Sequence, residues 1–183
     1  MHLALSLIAI LAAARPTPTE VLKARDAEIR AHLPKPGEEL TPQQRAKLED
    51  ILTRAVDLEA MAKAALGKHW DEQPPAKRKQ FLKAFINRFK RVSGDQIQSY
   101  RESQTKFGPE EKLDGLVKVP TELTIKGEPT EVVYVMKPEG NTWRIVDIVI
   151  DGVSTVENYR SSFSKIIAQE GFDALIARLS KKT

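Results

Sequence analysis

Asp147 is the residue of this sequence whose setting best fits a catalytic group. It lies between Val146 and Ile148 in an apolar segment, where a buried carboxylate is costly unless hydrogen bonds or a cation compensate it. Facing a cavity, it would have a raised pKa and could act as a general base, as in a small isomerase or hydrolase. The alternative is a structural carboxylate that caps a helix or pairs with a basic residue. Because the sequence offers no obvious partner acid or oxyanion donor, we favour the structural interpretation.

Other chemically active side chains are few. The three histidines are His2, His32 and His69, and the chain has no cysteine, which excludes disulfides and thiol nucleophiles. The motifs of zinc peptidases, serine hydrolases, P-loop proteins and dinucleotide-binding proteins are absent from the sequence. We therefore predict no catalytic residue, no metal site and no cofactor, and expect a protein that is not an enzyme.

Helix signals fill the first half of the chain. A first helix is predicted from a Thr19 cap to about residue 33, and a capping box at Thr41, with Pro42 at the first helical position, starts a second. Asp57 is expected to start a short third helix that Gly67 ends. The longest helix is predicted near 75–100.

Aromatic residues recur on one face of that longest helix. Phe81, Phe85, Phe89 and Val92 follow each other at four, four and three residues, the spacing of one helical stripe. The default interpretation of this stripe is packing in a core. Ser93-Gly94 is a candidate kink.

From about Gln104 the pattern changes to strands. Segments 113–125, 130–137 and 142–151 are rich in Val, Ile, Thr and aromatic residues, and turns with Gly separate them, which predicts neighbouring antiparallel strands. A final helix is predicted over 154–180, with an interruption at Gly171. This order indicates an α+β fold: a curved antiparallel sheet of about four strands, covered by N- and C-terminal helices.

The last predicted strand is apolar on both faces. Strict alternation puts Val146, Ile148 and Ile150 on one side and Ile145 and Val149 on the other. A half-exposed antiparallel strand normally alternates apolar with polar residues. Two apolar faces indicate either the centre of a thick core or a second face covered by more protein, a partner or a ligand.

Length and charge fit a single globular domain. A chain of 183 residues buries roughly 70% of its extended surface on folding, enough for a sizeable core. Its net charge of +4 is spread over interspersed acidic and basic residues, whereas nucleic-acid binding normally needs a concentrated basic patch. We expect no nucleic-acid partner.

The N-terminus has the pattern of a secretory signal peptide. Residues 3–13 form an apolar run, and Ala12-Ala13-Ala14 supplies the small residues of a cleavage site. The run is too short to span a bilayer. We predict a signal peptide at 1–14 and one domain at 15–183; the alternative is a buried N-terminal helix.

Several segments, taken in order, resemble the MlaC family, also called toluene-tolerance or Tgt-type proteins. The specific part is its W-x-x-x-D-x-x-x-(E/D)-G-V-S signature followed by N-Y-R-x-x-F, which is similar to residues 143–163 here. The other matching segments are Ala65-Leu66-Gly67 with Trp70, Gln80-Phe81 with Phe85, and the strand 131–135 with Tyr134 after Pro129.

This resemblance implies a periplasmic phospholipid carrier with a cone-shaped fold similar to nuclear transport factor 2 and an internal apolar cavity. It implies that glycerophospholipid moves from the outer to the inner membrane, which maintains the lipid asymmetry of the outer membrane. The implied partners are an inner-membrane MCE-domain ABC transporter and an outer-membrane lipoprotein and porin complex. We expect a monomer that contains no bound cofactor.

The resemblance and the apolar patterns together select candidate site residues. The expected lipid-tail contacts, which are not distinguishable from core positions in the sequence, are Phe81, Phe85, Val133, Val135, Val146, Ile148 and Phe163. Arg160 is the expected contact to a headgroup or partner, and Trp70 and Trp143 are expected to pack. Two other functions stay open: an enzyme of the same fold with Asp147 as base, and an envelope adaptor that binds no lipid.

Overall fold

The computed structural model describes residues 15–35, 38–100, 104–125 and 128–181, without the side chains of 94–100 and 125. The predicted signal peptide lies outside these residues. No helix in the described ranges is both long and apolar enough to cross a bilayer. The α-helices are α1 (Pro18–His32), α2 (Pro42–Ala55), α3 (Leu58–Leu66), α4 (Pro75–Tyr100), α5 (Thr155–Glu170) and α6 (Phe172–Ser180), with a 3₁₀ turn at Gly67–Trp70.

Capping boxes start the first two helices. The box predicted at Thr41 is confirmed: its hydroxyl accepts from the Gln44 N–H at 3.2 Å, and Gln44 Oε1 accepts from the Thr41 N–H at 3.0 Å. The cap predicted for α1 is wrong by two residues, because Thr17 and not Thr19 makes the box, with Glu20. Of these two threonines, only Thr17 has a glutamate or glutamine three residues further on, which a reciprocal box requires.

The other predicted helices are confirmed, including the interruption of the last one at Gly171. Asp57 caps α3 by accepting from the Ala60 N–H at 2.9 Å. Helix α4 continues without interruption through Ser93-Gly94. The segment 154–180 is divided into α5 and α6 at Gly171, whose φ of 86° ends one helix and redirects the chain into the next.

Within the described residues the sheet has six strands, whereas about four were predicted. They are β1 (Thr105–Phe107), β2 (Glu111–Leu113), β3 (Leu116–Ile125), β4 (Glu128–Glu139), β5 (Thr142–Ile150) and β6 (Val153–Ser154). The order is β1-β3-β4-β5-β6, with β2 also paired to β3 and all pairings antiparallel. The additional strands are two or three residues long, too short for an alternating pattern to reveal them. The α+β prediction is otherwise confirmed.

A β-bulge at Val146 changes the predicted faces of β5. Asp147 pairs with Val135 and Ile145 pairs with Met136, so Val146 is the additional residue on this strand. Because a bulge shifts the alternation by one residue, Ile145 and Ile148 both pack toward the main core. The strict alternation predicted for this strand, with those two residues on opposite faces, is wrong.

The main core lies between the helices and one face of the sheet. Val119, Tyr134 and Ile148 share this face through cross-strand pairing, and all three contact the core. The opposite face carries Val133 paired with Val149, both half-buried. A smaller cluster of buried residues on α1 and α2 consists of Ile29, Leu48 and Ile51.

The junction between α2 and α3 docks on the outer edge of β5. Val56 forms a parallel bridge with Ile145, and the Asp57 N–H donates to the Ile145 carbonyl at 2.8 Å. The Asp57 carboxylate also forms an ion pair with Lys137 of β4. Burial acts to raise the pKa of this carboxyl, but the Lys137 ammonium and the Ala60 N–H together hold it below its usual value.

We predict that Asp57 makes the free energy of unfolding of this protein depend on pH in the acid range. Because its folded pKa is lowered, its contribution is complete above the unfolded pKa of about 4 and is lost as the pH falls through the folded value. Urea unfolding at pH 7 and pH 3 should show a larger loss of stability for the wild type than for Asp57→Asn, which keeps a good cap. Equal losses in the two proteins would contradict this assignment.

Candidate functional site

Aromatic rings from α4, α5 and α6 meet in the interior. Phe81 and Phe85, one turn apart on α4, are 0% and 2% exposed, and Phe163 of α5 is 3% exposed. The Phe163 ring lies edge-on to both, with centroid distances of 5.8 and 6.3 Å. Tyr159 stacks on Phe163 at 5.2 Å, and Phe172 lies 5.9 Å from Phe81. Three of the predicted site residues are therefore in mutual contact.

The strand residues of the predicted site do not share one surface. Ile148 packs against the main core beside the helices. Val133 is on the opposite face, Val135 is buried outside both core clusters, and Val146 is the bulged residue. Only part of the predicted set thus contacts the aromatic interior, because Val133 lies on the opposite face of β4 and the bulge takes Val146 out of the alternation of β5.

Tyr134 is a residue on the helix-covered face that the site prediction did not include. It pairs with Ile148 across the strands and packs against the core. Burial and the nearby negative charge of Asp26 raise the pKa of its hydroxyl to about 12. It therefore stays neutral at physiological pH and places a polar group within an apolar layer. Its position between Val133 and Val135 in an apolar strand is the sequence signal that could have found it.

An apolar groove opens where α4, α5 and α6 meet. Its volume is about 330 Å³. The apolar lining comes from α5 and α6, and polar or basic side chains stand beside it. The lining residues are Arg88, Tyr159, Ser162, Phe163, Ile166, Leu175, Arg178, Leu179 and Lys181. Through Phe163, the groove adjoins the aromatic interior.

A second concavity, of about 380 Å³, is lined mainly by charged residues near the start of α3. Its cations are largely neutralised by neighbours: Lys137 pairs with Asp57, and Arg144 lies 3.3 Å from Glu139. Arg144 also donates to the Val56 carbonyl at 2.5 Å. These contacts hold the α2–α3 junction to the sheet. We therefore interpret the charged residues of this pocket as structural.

Asp147 has a structural role. Its Oδ1 accepts from the N–H of Val156 at 3.0 Å, and its Oδ2 accepts from the Ser154 hydroxyl at 2.5 Å. Ser154 in turn caps α5 by accepting from the Glu157 N–H at 3.0 Å. The carboxylate therefore fixes the start of α5, which agrees with the structural interpretation of the sequence.

Arg160 connects two helices. Its Nε donates to the Ala64 carbonyl at 3.0 Å, and its Nη1 lies 2.7 Å from Glu157. Its side chain also covers Gly67, where a Cβ would come within 3.5 Å of the guanidinium. Arg160 thus satisfies a carbonyl in the last turn of α3, and its role as a headgroup or partner contact stays a prediction.

His69 and Trp143, two further candidates from the sequence, each contact another residue of the protein. His69 pairs with Glu72 at 2.7 Å, and the Trp143 indole donates to the Pro16 carbonyl at 2.9 Å. Within the described ranges, no group of His, Asp and Glu residues is arranged to hold a metal ion.

Comparison with known proteins identifies the family. The family model described as MlaC protein matches residues 26–181, so this chain belongs to the MlaC family, as the sequence resemblance predicted. The fold is similar to that of a phospholipid-binding protein from Ralstonia solanacearum, whose structure was solved in complex with a phospholipid. The TM-score is 0.77 at 22% identity, over 90% of this chain and 95% of that one.

We predict that Asp147→Ala destabilises the protein by about 2 kcal/mol, because the Val156 N–H and Ser154 hydroxyl lose their acceptor. Asp147→Asn keeps an acceptor oxygen and should cost less. Urea unfolding at neutral pH measures both variants. An unchanged free energy of unfolding in Asp147→Ala would contradict the capping role.

Proposed function

We propose that this protein is a phospholipid carrier. It would bind glycerophospholipid without covalent chemistry and keep the acyl tails between the helices and the sheet face that they cover. The observation that carries this proposal is the similarity over most of both chains to a protein solved with a bound phospholipid. Membership of the MlaC family supports it.

The physical requirement on such a carrier is shielding of the tails. Exposure to water costs about 0.8 kcal/mol per methylene, so two tails of about 16 carbons would cost on the order of 25 kcal/mol. A patch on the surface cannot offset this. The tails therefore need the volume between the helices and the sheet, where an internal cavity stays a prediction.

The aromatic interior is the proposed contact region for the tails. Phe81, Phe85 and Phe163 are packed against each other, and Ile148 and Tyr134 contact the same core. Tails would enter by separating these side chains, with the groove between α4, α5 and α6 as the adjoining opening. We assign Val133 a lesser role because it lies on the other face of the sheet.

We further propose that the carrier works in the periplasm as a monomer. Its expected partners are an inner-membrane MCE-domain ABC transporter and an outer-membrane lipoprotein and porin complex, with transport toward the inner membrane and a role in outer-membrane lipid asymmetry. The predicted signal peptide and the family membership support this location and these partners. A carrier needs no catalytic residue, and the engagement of Asp147 in helix capping agrees with that.

Native mass spectrometry of the protein purified from cells tests the binding function. We expect an added mass of one phospholipid, confirmed by extraction and lipid analysis, and uptake of phospholipid from vesicles by protein freed of lipid. A protein with no bound phospholipid and no uptake from vesicles would refute the proposal and leave an adaptor function. Lipid binding retained in Asp147→Asn would argue against an enzyme.

A matched pair of substitutions tests which sheet face meets the tails. Ile148→Trp adds volume between sheet and helices and should lower the bound phospholipid several-fold, whereas Val133→Trp on the opposite face should not. The measurement is moles of phospholipid per mole of protein after uptake from vesicles, with unfolding midpoints as the control for folding. The reverse order of the two variants would place the tails on the other face.

A further inference from the structure

Helix α4 places an arginine on its inward stripe. Phe81, Phe85 and Arg88 recur at four and three residues, the spacing of one helical face. The two phenylalanines are buried, and Arg88 is partly buried and lines the groove beside Tyr159. A guanidinium on an apolar stripe is unfavourable unless an anion compensates its charge.

The described side chains do not supply that anion. No carboxylate among them forms an ion pair with Arg88 or with Lys181, which also lines the groove. Arg178 differs, since Glu170 holds it through both oxygens at 2.5 and 2.7 Å. The groove therefore has two cations whose charge is not neutralised within the described part of the chain.

The helix that carries Arg88 strengthens the positive potential. Residues 75–92 contain seven basic residues and no acidic one, although the whole chain has a net charge of only +4. Charge is therefore less evenly interspersed over residues 75–92 than over the chain as a whole. The basic residues are Lys77, Arg78, Lys79, Lys83, Arg88, Lys90 and Arg91.

We propose that this groove binds the headgroup of an anionic phospholipid. Arg88 and Lys181 would hold the phosphate, and the hydroxyls of Tyr159 and Ser162 offer hydrogen bonds. The glycerol and the first part of one chain would lie on the apolar lining formed by α5 and α6. This inference rests on the proposed carrier function and adds the class of lipid that the carrier prefers.

The size and charge of the groove define that class. A volume of about 330 Å³ is at the small end of ligand pockets, which run from about 300 to 1,000 Å³, so the groove fits a headgroup but not two acyl tails. The tails would continue inward past Phe163. A zwitterionic headgroup would bring its ammonium close to two cations, which disfavours it relative to a net anionic one.

The test is lipid selectivity of the full chain. Wild type, Arg88→Gln, Arg88→Lys and Lys83→Gln are loaded from vesicles of equal parts phosphatidylglycerol and phosphatidylethanolamine, repurified, and their lipids quantified by mass spectrometry. Lys83 is the matched control because it is an exposed cation on the same helix outside the groove. We expect the wild type to prefer phosphatidylglycerol and Arg88→Gln to lose about tenfold of that preference, with Arg88→Lys retaining most of it and Lys83→Gln unchanged.

The outcomes separate this inference from the carrier function. Total phospholipid that stays normal in Arg88→Gln with an unchanged lipid ratio would overturn the headgroup site and leave the carrier intact. Failure of the wild type to load any phospholipid would refute the carrier function itself. Inorganic phosphate in the loading mixture distinguishes a lipid headgroup from a free anion: a preference that persists supports the headgroup, and a preference that phosphate abolishes identifies free phosphate as the occupant.

Discussion

The helical side of this fold depends on the hydrogen-bonded carboxylate of Asp147. The bulge at Val146 leaves this residue where it accepts from the Ser154 hydroxyl and the Val156 N–H, and so fixes where α5 begins. Helix α5 then carries Phe163 and Tyr159 into contact with α4. A carboxylate in an apolar strand is tolerated because hydrogen bonds satisfy its oxygens. Asp147, which best fitted a general base in the sequence, therefore has a structural role.

Backbone pairing protects the outer edge of β5. An exposed strand edge presents unpaired N–H and carbonyl groups and invites aggregation. Here β6 covers one end of the edge and the backbone of Val56 and Asp57 covers the middle. The ion pair between Asp57 and Lys137 holds that junction in place. The charges near α3 thus stabilise the architecture, whereas Arg88 and Lys181 of the α4–α5–α6 groove have no carboxylate partner among the described residues.

An amphiphile has two requirements, and different parts of the molecule meet them. Acyl tails need an interior lined by apolar groups, which the aromatic residues between α4, α5 and α6 provide beside the helix-covered sheet face. A phosphate needs cations near solvent, which Arg88 and Lys181 provide at the adjoining groove. The two regions meet at Phe163, so one bound lipid could use both. This continuity links the proposed carrier function to a preference for anionic lipids.

Local rules account for the features that could be predicted from the sequence: the α+β class, the Thr41 capping box, the start of α3 at Asp57, the long helix α4 and the family signature at 143–163. Each depends on residues within a few positions of one another. That Ile145 and Ile148 face the same core could not be predicted in this way, because a bulge is defined by the register of the partner strand β4. Tertiary structure also brings Arg88 and Lys181 to one groove, since α4 must pack against α5 and α6, which lie far from it in sequence, before such a surface exists.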